Sequence, residues 1–228
     1  MRLRWFGQSA FSLAGDAGSI VLDPFGEMPE SVRAVRRWDY PAVAGIEADL
    51  LLVTHEHFDH NAVDVVGGDP HTIRSTAGTW ATPLGQVVGV ASEHDEVAGT
   101  QRGPNTIFVF ELDGLRFAHF GDFGQPALRP EQRAAIGDVD VLFLPVGDGP
   151  TVGGERAAAI VRELGPRLVV AMHYRTEAIG FLEPPDAFLA ALAEARVERS
   201  EASEVDLEPL LGEAAAPTVL LLAPPRSS

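Results

Sequence analysis

The chain contains no cysteine and no lysine; all 17 of its basic residues are arginine. Without lysine there is no Walker phosphate loop and no Schiff-base amine. Without cysteine there are no thiol nucleophiles, disulfides, iron–sulfur clusters or cysteine-ligated zinc. No run approaches the roughly 18 apolar residues needed to span a bilayer, so no membrane association is expected. The start, Met1-Arg2-Leu3-Arg4, leads into Gly7-Gln8-Ser9 and alternating polarity rather than an apolar block, unlike a secretory signal. A cytoplasmic protein is the expectation. Basic residues are also scarce against 33 acidic ones, for a formal charge of −16. Such a chain repels a phosphate backbone, so no nucleic-acid partner is expected.

What is present fits one domain over residues 1–228, with 46% hydrophobic residues and ample length for a buried core. Leu3 to Phe6, Phe11 to Ala14 and Ser19 to Leu22, parted by glycine turns, predict an antiparallel meander. Residues 26–48 carry Gly26, Pro29, Arg33, Arg36, Arg37 and Pro41 and suggest an irregular or short-helical insertion over the surface. Asp49 to Thr54 is a strand apolar on both faces. Further strands are expected at 71–75, 86–92, 105–111 and 114–120, the last two as a hairpin around Asp113-Gly114. Helix 130–136, strand 139–145, helix 154–164, strand 167–172, helix 185–195 and strand 219–222 then follow. Strands first, then alternating strands and helices, imply a layered α/β fold with mixed sheets.

The chemistry concentrates in Thr54-His55-Glu56-His57-Phe58-Asp59-His60, directly after the buried strand. Imidazole and carboxylate suit zinc, iron and manganese, and a strand end is where open α/β sheets place ligands. Among 228 residues with 7 histidines and 15 aspartates, such a cluster arises by chance roughly once in a few thousand. The competing reading, a polar loop capping a helix, is therefore weak. His55 and His57 can point the same way from extended chain, and Asp59 and His60, at the turn into an expected helix, can face a second metal. Four more candidates sit near predicted strand ends: His94, His119, Asp122 and His173. A lone histidine there is more often structural than a ligand, but the cluster reverses those odds. His71 has no motif around it and suits a surface turn.

His55-x-His57-x-Asp59-His60, followed by His94, Asp122 and His173, resembles the metallo-β-lactamase superfamily. Within it the chain is similar to small bacterial metal-dependent hydrolases related to ascorbate-6-phosphate lactonase. The likeness runs from Trp5-Phe6-Gly7-Gln8-Ser9-Ala10-Phe11 through Ser92-Glu93-His94-Asp95, Arg102-Gly103-Pro104-Asn105-Thr106 and His119-Phe120-Gly121-Asp122 to Met172-His173-Tyr174-Arg175-Thr176. It implies a four-layer αββα sandwich, two mixed β-sheets flanked by helices, with a dinuclear site at one edge. His55, His57 and His94 would bind one metal, Asp59, His60 and His173 the other, and Asp122 would bridge them. Two divalent transition-metal ions are implied, zinc first, with manganese or iron as alternatives. A water held between them would be the nucleophile, with Asp59 orienting it or taking its proton. His119 is expected to assist catalysis by orienting Asp122 or its loop. Gln8 departs from the histidine usual after this glycine.

The resemblance also narrows the activity. One antibiotic-hydrolysing class has cysteine at the position of Asp122, and oxygen-reducing di-iron relatives have glutamate at that of His57. Glyoxalase II-like enzymes append a helical domain after His173, and nucleic-acid-processing branches add a domain or a basic arm. What is left is hydrolysis of a small molecule: an ester, lactone or phosphodiester. Arg175 and Asp148 are the expected substrate residues, and residues 26–48 a candidate cover for the cleft. A homo-oligomer is expected by the same resemblance. The alternatives are a metal-binding regulatory protein without catalysis, against which the complete ligand set speaks, and a nuclease, which the charge disfavours.

Overall fold

The computed structural model describes residues 1–211 and 216–226; the other residues within the expected 1–228 domain lie outside the description. The chain opens with β1 (Arg2–Gly7), β2 (Ala10–Ala14) and β3 (Ser19–Leu22). Next come α1 (Glu30–Arg36), β4 (Ile46–Glu47), β5 (Leu50–Val53), β6 (Val66–Gly67) and β7 (His71–Arg74). β8 (Gly78–Thr82), β9 (Gly85–Glu93), β10 (Pro104–Leu112) and β11 (Leu115–His119) form a second run of strands. Then the chain alternates through α2 (Pro130–Ile136), β12 (Val141–Pro145), α3 (Gly154–Leu164), β13 (Leu168–Met172) and α4 (Asp186–Ala191). It finishes with β14 (Arg196–Arg199), β15 (Glu204–Asp206) and β16 (Thr218–Leu221).

Two mixed sheets result, in the orders β15-β1-β2-β3-β5-β7 and β14-β16-β13-β12-β11-β10-β9-β8, beside a small parallel pair of β4 and β6. The opening meander is antiparallel as expected, and the hairpin of β10 and β11 turns at Asp113 and Gly114, both at positive φ. The sheets face each other across one core. Leu3, Phe11, Leu13, Ile20 and Leu50 on one side meet Phe108, Phe117, Phe143 and Val170 on the other. The Phe11 and Phe143 rings lie 4.8 Å apart between the layers. Every residue of β12 and β13 is buried, which their unbroken apolar runs require. Behind them α3 buries Ala157, Ile160, Val161 and Leu164 and ends at Gly165 in the left-handed region.

The outer face of the first sheet is covered mostly by irregular chain. Phe6 and Ala10 pack against Phe25, Met28, Trp38, Tyr40 and Val43 from the 26–48 region, and against Ala178, Ile179 and Leu182. Prolines and glycines interrupt this stretch, so its one helix, α1, is seven residues long and buries none of them. The fourth layer is therefore thin, while the αββα order holds. The helix expected after His60 is absent. Only a 3-10 turn, Val63–Val65, forms there, because three β-branched valines and Gly67-Gly68 favour extended chain. Three strands, β8, β14 and β15, lie at sheet edges in segments not expected as strands. Among the described residues no helix is long and apolar enough to cross a membrane.

Strand direction positions the chemistry. β9 and β11 are both antiparallel to β10 and so run the same way, and β12 and β13 are parallel to β11. The C-terminal ends of β9, β11 and β13 therefore share one edge. His94, Asp122 and His173 follow those ends within three residues.

Candidate metal centre

The 55–60 loop leaves β5 of the first sheet and meets the three loops of the second at that edge. Glu56 anchors it from outside, accepting from Arg74 Nη2 (2.5 Å), Ser75 Oγ (2.8 Å) and Asn61 Nδ2 (3.2 Å). These partners, Arg74 first, hold the Glu56 carboxyl at about 2. Its neighbours are thereby turned inward. His55 Nε2 lies 3.0 Å from His57 Nδ1, and His55, His57 and His94 each bring a ring nitrogen within 4.8 Å of the others'.

Asp122 Oδ2 is the hub. It lies 3.1 Å from His94 Nε2, 3.2 Å from His173 Nε2, 3.3 Å from His60 Nε2 and 4.0 Å from His55 Nε2. The other nitrogen of each ring is turned outward to a holder. Asp23 Oδ2 takes His60 Nδ1 (3.1 Å), the Pro150 carbonyl takes His94 Nδ1 (3.1 Å), and Thr54 Oγ1 lies 3.0 Å from His55 Nδ1. Thr151 Oγ1 sits 3.4 Å from His173 Nδ1. Asp122 is held in turn by Ser9 Oγ on Oδ1 (3.0 Å) and by Asn105 Oδ1 on its N–H (3.2 Å). Gly121 has φ +53°, and a Cβ there would stand 2.4 Å from Thr54 Oγ1, so only glycine lets this loop pass the ligand loop.

The electrostatics match a cation site. Burial, then the neighbouring His60, keeps the His55 imidazole well below its usual range, and burial lowers His57 as well. Burial alone would raise Asp122, but His173 and His60 outweigh it and hold the carboxyl well below the usual range. His60 Nε2 is buried without a hydrogen-bond partner. Inward-facing imidazole nitrogens, an ionised carboxylate and an orphaned ring nitrogen fit a divalent transition metal, with the rings of His55, His60, His94 and His173 each held from outside.

Other expected residues stand elsewhere. His119 does not reach the cavity. It is fully buried, with Nε2 3.0 Å from the Ser9 carbonyl, and Nδ1 accepts from Gly121 N–H at 3.2 Å. It braces the two segments that hold Asp122 and touches no reacting group. Arg175 is turned away as well, bonded to the Leu182 carbonyl and Glu183, in a separate cavity with Arg199 and Arg226. Asp148 is exposed at φ +52°, accepting from Gly149 N–H. Gln8 is buried with an unpartnered carboxamide, while its backbone carbonyl accepts from Trp5 Nε1 and His173 N–H.

A cavity of about 280 Å³ opens over the cluster, lined by His57, Asp59, His94, Asp122 and His173, with Arg36, Arg102, Phe58 and Phe181 at its walls. Residues 26–48 thus do reach the site, through Arg36. Asp23, Ser9 and Asn105 were not anticipated. Asp23 had a signal, a lone charge ending an apolar strand before Pro24; Ser9 had none.

Comparison with known proteins identifies the family. The family described as the beta-lactamase superfamily domain matches residues 2–173. A metal-dependent hydrolase from Thermococcus kodakarensis is 30% identical over 204 residues, covering 77% of this chain and 85% of its own. One from Methanoculleus marisnigri is 34% identical over 201 residues, covering 77% and 82%. A Thermotoga maritima crystal structure, assigned as a zinc-dependent hydrolase of the metallo-β-lactamase superfamily, superposes with a TM-score of 0.76. It shares 27% identity and covers 98% of this chain and 99% of its own. The chain belongs to the metallo-β-lactamase superfamily of metal-dependent hydrolases.

Proposed function

We propose that the centre holds two divalent ions and cleaves a small ester, lactone or phosphodiester. The observation that carries this is the position of Asp122 Oδ2, central to ring nitrogens from both sides of the cluster. His55, His57 and His94 form one half, His60 and His173 with Asp59 the other, and Asp122 joins them. Zinc suits the donor set best, with manganese and iron also suited. Bound there, the ions supply Lewis acidity toward water and toward the carbonyl or phosphoryl oxygen of the substrate.

The chain's own residues do the rest. Asp59 lies on the cavity wall, its Oδ2 taken by Arg36, and among the described residues no hydrogen bond engages its Oδ1. That oxygen is the one left to face the second ion, where it would also orient the attacking water by accepting a hydrogen bond from it. Ser9 and the Asn105 carboxamide keep Asp122 from rotating, with His119 bracing Ser9 and Gly121. The cavity volume favours a small substrate, and the net charge disfavours a polynucleotide.

Metal content and turnover test the reading together. Protein purified without tag or chelator should carry two transition-metal ions per chain. Asp122→Ala and His57→Ala should each lose turnover of a lactone, ester and phosphodiester panel while keeping the native circular dichroism. Variants as active as the parent chain, or saturation at one ion, would sink it.

A further inference from the structure

Two arginines line the cavity over the candidate centre, and they reach it from unrelated parts of the chain. Arg36 comes from the end of α1, in the 26–48 segment, and Arg102 from the loop between β9 and β10.

Arg36 is held in a defined pose. Its guanidinium lies 5.1 Å from the centre of the Phe58 ring and 5.0 Å from that of Phe181, so both aromatic faces hold it. Nη1 donates to Asp59 Oδ2 at 2.5 Å. Among the described residues its other N–H groups have no hydrogen-bond partner. Phe58 and Phe181 are both exposed at the cavity, and the Arg36 guanidinium lies against both.

Arg102 is delivered by a built loop. The Asp95 carboxylate accepts the backbone N–H of Val97 (2.9 Å), Gly99 (2.8 Å), Gln101 (2.9 Å) and Arg102 (2.8 Å). These four bonds fold residues 95–102 into a compact turn over the cavity. Among the described residues the Arg102 side chain makes no hydrogen bond or ion pair. Arg102 is exposed at the cavity wall, and its guanidinium is therefore open to a ligand.

We propose that Arg36 and Arg102 form a two-point clamp for an anionic group of the substrate and so determine its specificity. The inference rests on the hydrolase reading and deepens it. The substrate would be a small ester, lactone or phosphodiester carrying a carboxylate or phosphate away from the scissile bond. Guanidinium groups match both anions with parallel N–H donors. Phe58 and Phe181 line the same cavity and bound the room left for the body of such a molecule.

The test measures anion binding apart from turnover. Glutarate, inorganic phosphate and uncharged glutaramide are each titrated calorimetrically into metal-saturated protein, and into Arg36→Met, Arg102→Met and the remote control Arg226→Met. One anion should bind while glutaramide does not. Each cavity variant should weaken it about tenfold, leaving Arg226→Met at the parent affinity. Preference between glutarate and phosphate identifies the anion. Should Arg36→Met lose its fold by loosening the aromatic pair, Arg102→Met carries the test alone. The clamp is overturned if neither anion binds better than glutaramide, or if the cavity variants bind as the parent does, since the metals alone would then hold the anion. Arginine-dependent anion binding in a protein that turns over no ester, lactone or phosphodiester would refute the hydrolase reading and leave the clamp standing.

Discussion

His60 Nδ1 lies 3.1 Å from Asp23 Oδ2, and solvent reaches neither side chain. The same carboxylate accepts from Thr54 N–H and Thr54 Oγ1, both at 2.7 Å, so one group sets the start of the ligand loop and the tilt of its last imidazole. Carboxylates behind metal-bound histidines contribute affinity without touching the ion. Asp23→Ala should therefore weaken metal retention by about 10- to 100-fold, read by competition with a calibrated chelator. Asp23→Asn keeps an acceptor and suits the left-handed backbone at φ +46°, so it should lose less. Equal retention in all three proteins would remove Asp23 from the design.

A second prediction concerns protons. Burial opposes a charge on His60, but Asp122 and Asp23 outweigh it and raise the group well above its usual range. With the folded value raised, a proton competes with a cation for the His60 ring, so acid opposes metal uptake there. Apparent metal affinity should rise with pH. Calorimetry in buffers of different ionisation enthalpy should show net proton release. Buffer-independent heats would contradict it.

Acid should act on the loop through Glu56. Its carboxyl is held at about 2, against an ordinary 4.5, by Arg74, Ser75 and Asn61. A depressed value means the contribution is whole above about 4.5 and fades as pH falls toward 2. The melting temperature of the parent should exceed that of Glu56→Gln at pH 6, and the gap should close as pH drops through 4 and 3. A gap that is constant with pH would show that the clamp works without its charge.

The core offers a sharper stability test. Phe143 is fully buried, 4.8 Å from Phe11 across the layers and 5.5 Å from His119. Phe143→Ala should cost about 3–5 kcal/mol in urea unfolding. Because its cavity opens against His119, metal retention should fall as well.

Much of this site could be read from the chain, and for a physical reason. His55, His57, Asp59 and His60 fall within six residues after an apolar strand, so proximity in sequence stood in for proximity in space. His94, Asp122 and His173 were findable because each follows a strand end, and strand ends are where such folds gather ligands. The core helices and strands 130–172 were similarly legible, because their apolar runs and spacing leave few alternatives. Arg175 and Asp148 were not so constrained. They stand next to functional loops in sequence, but side-chain direction there depends on turns, such as the positive φ of His173 and Asp148, that no local pattern announces. Arg36 reaches the cavity through its tertiary contacts with Phe58 and Phe181, and Arg102 through the turn that Asp95 folds, neither of which a local pattern announces. The edge strands β8, β14 and β15 lack full burial, so their alternation was too weak to see.

The ligand-bearing loops leave two different sheets. His55, His57 and His60 follow β5 of the first, while His94, Asp122 and His173 follow strands of the second. Ions gripped by both sets would act as a stitch between the layers, tying positions more than a hundred residues apart in the chain. Their binding energy would then be felt as resistance to the sheets sliding or parting, so that neither layer could loosen without releasing the cations and neither half of the chain could retain them alone.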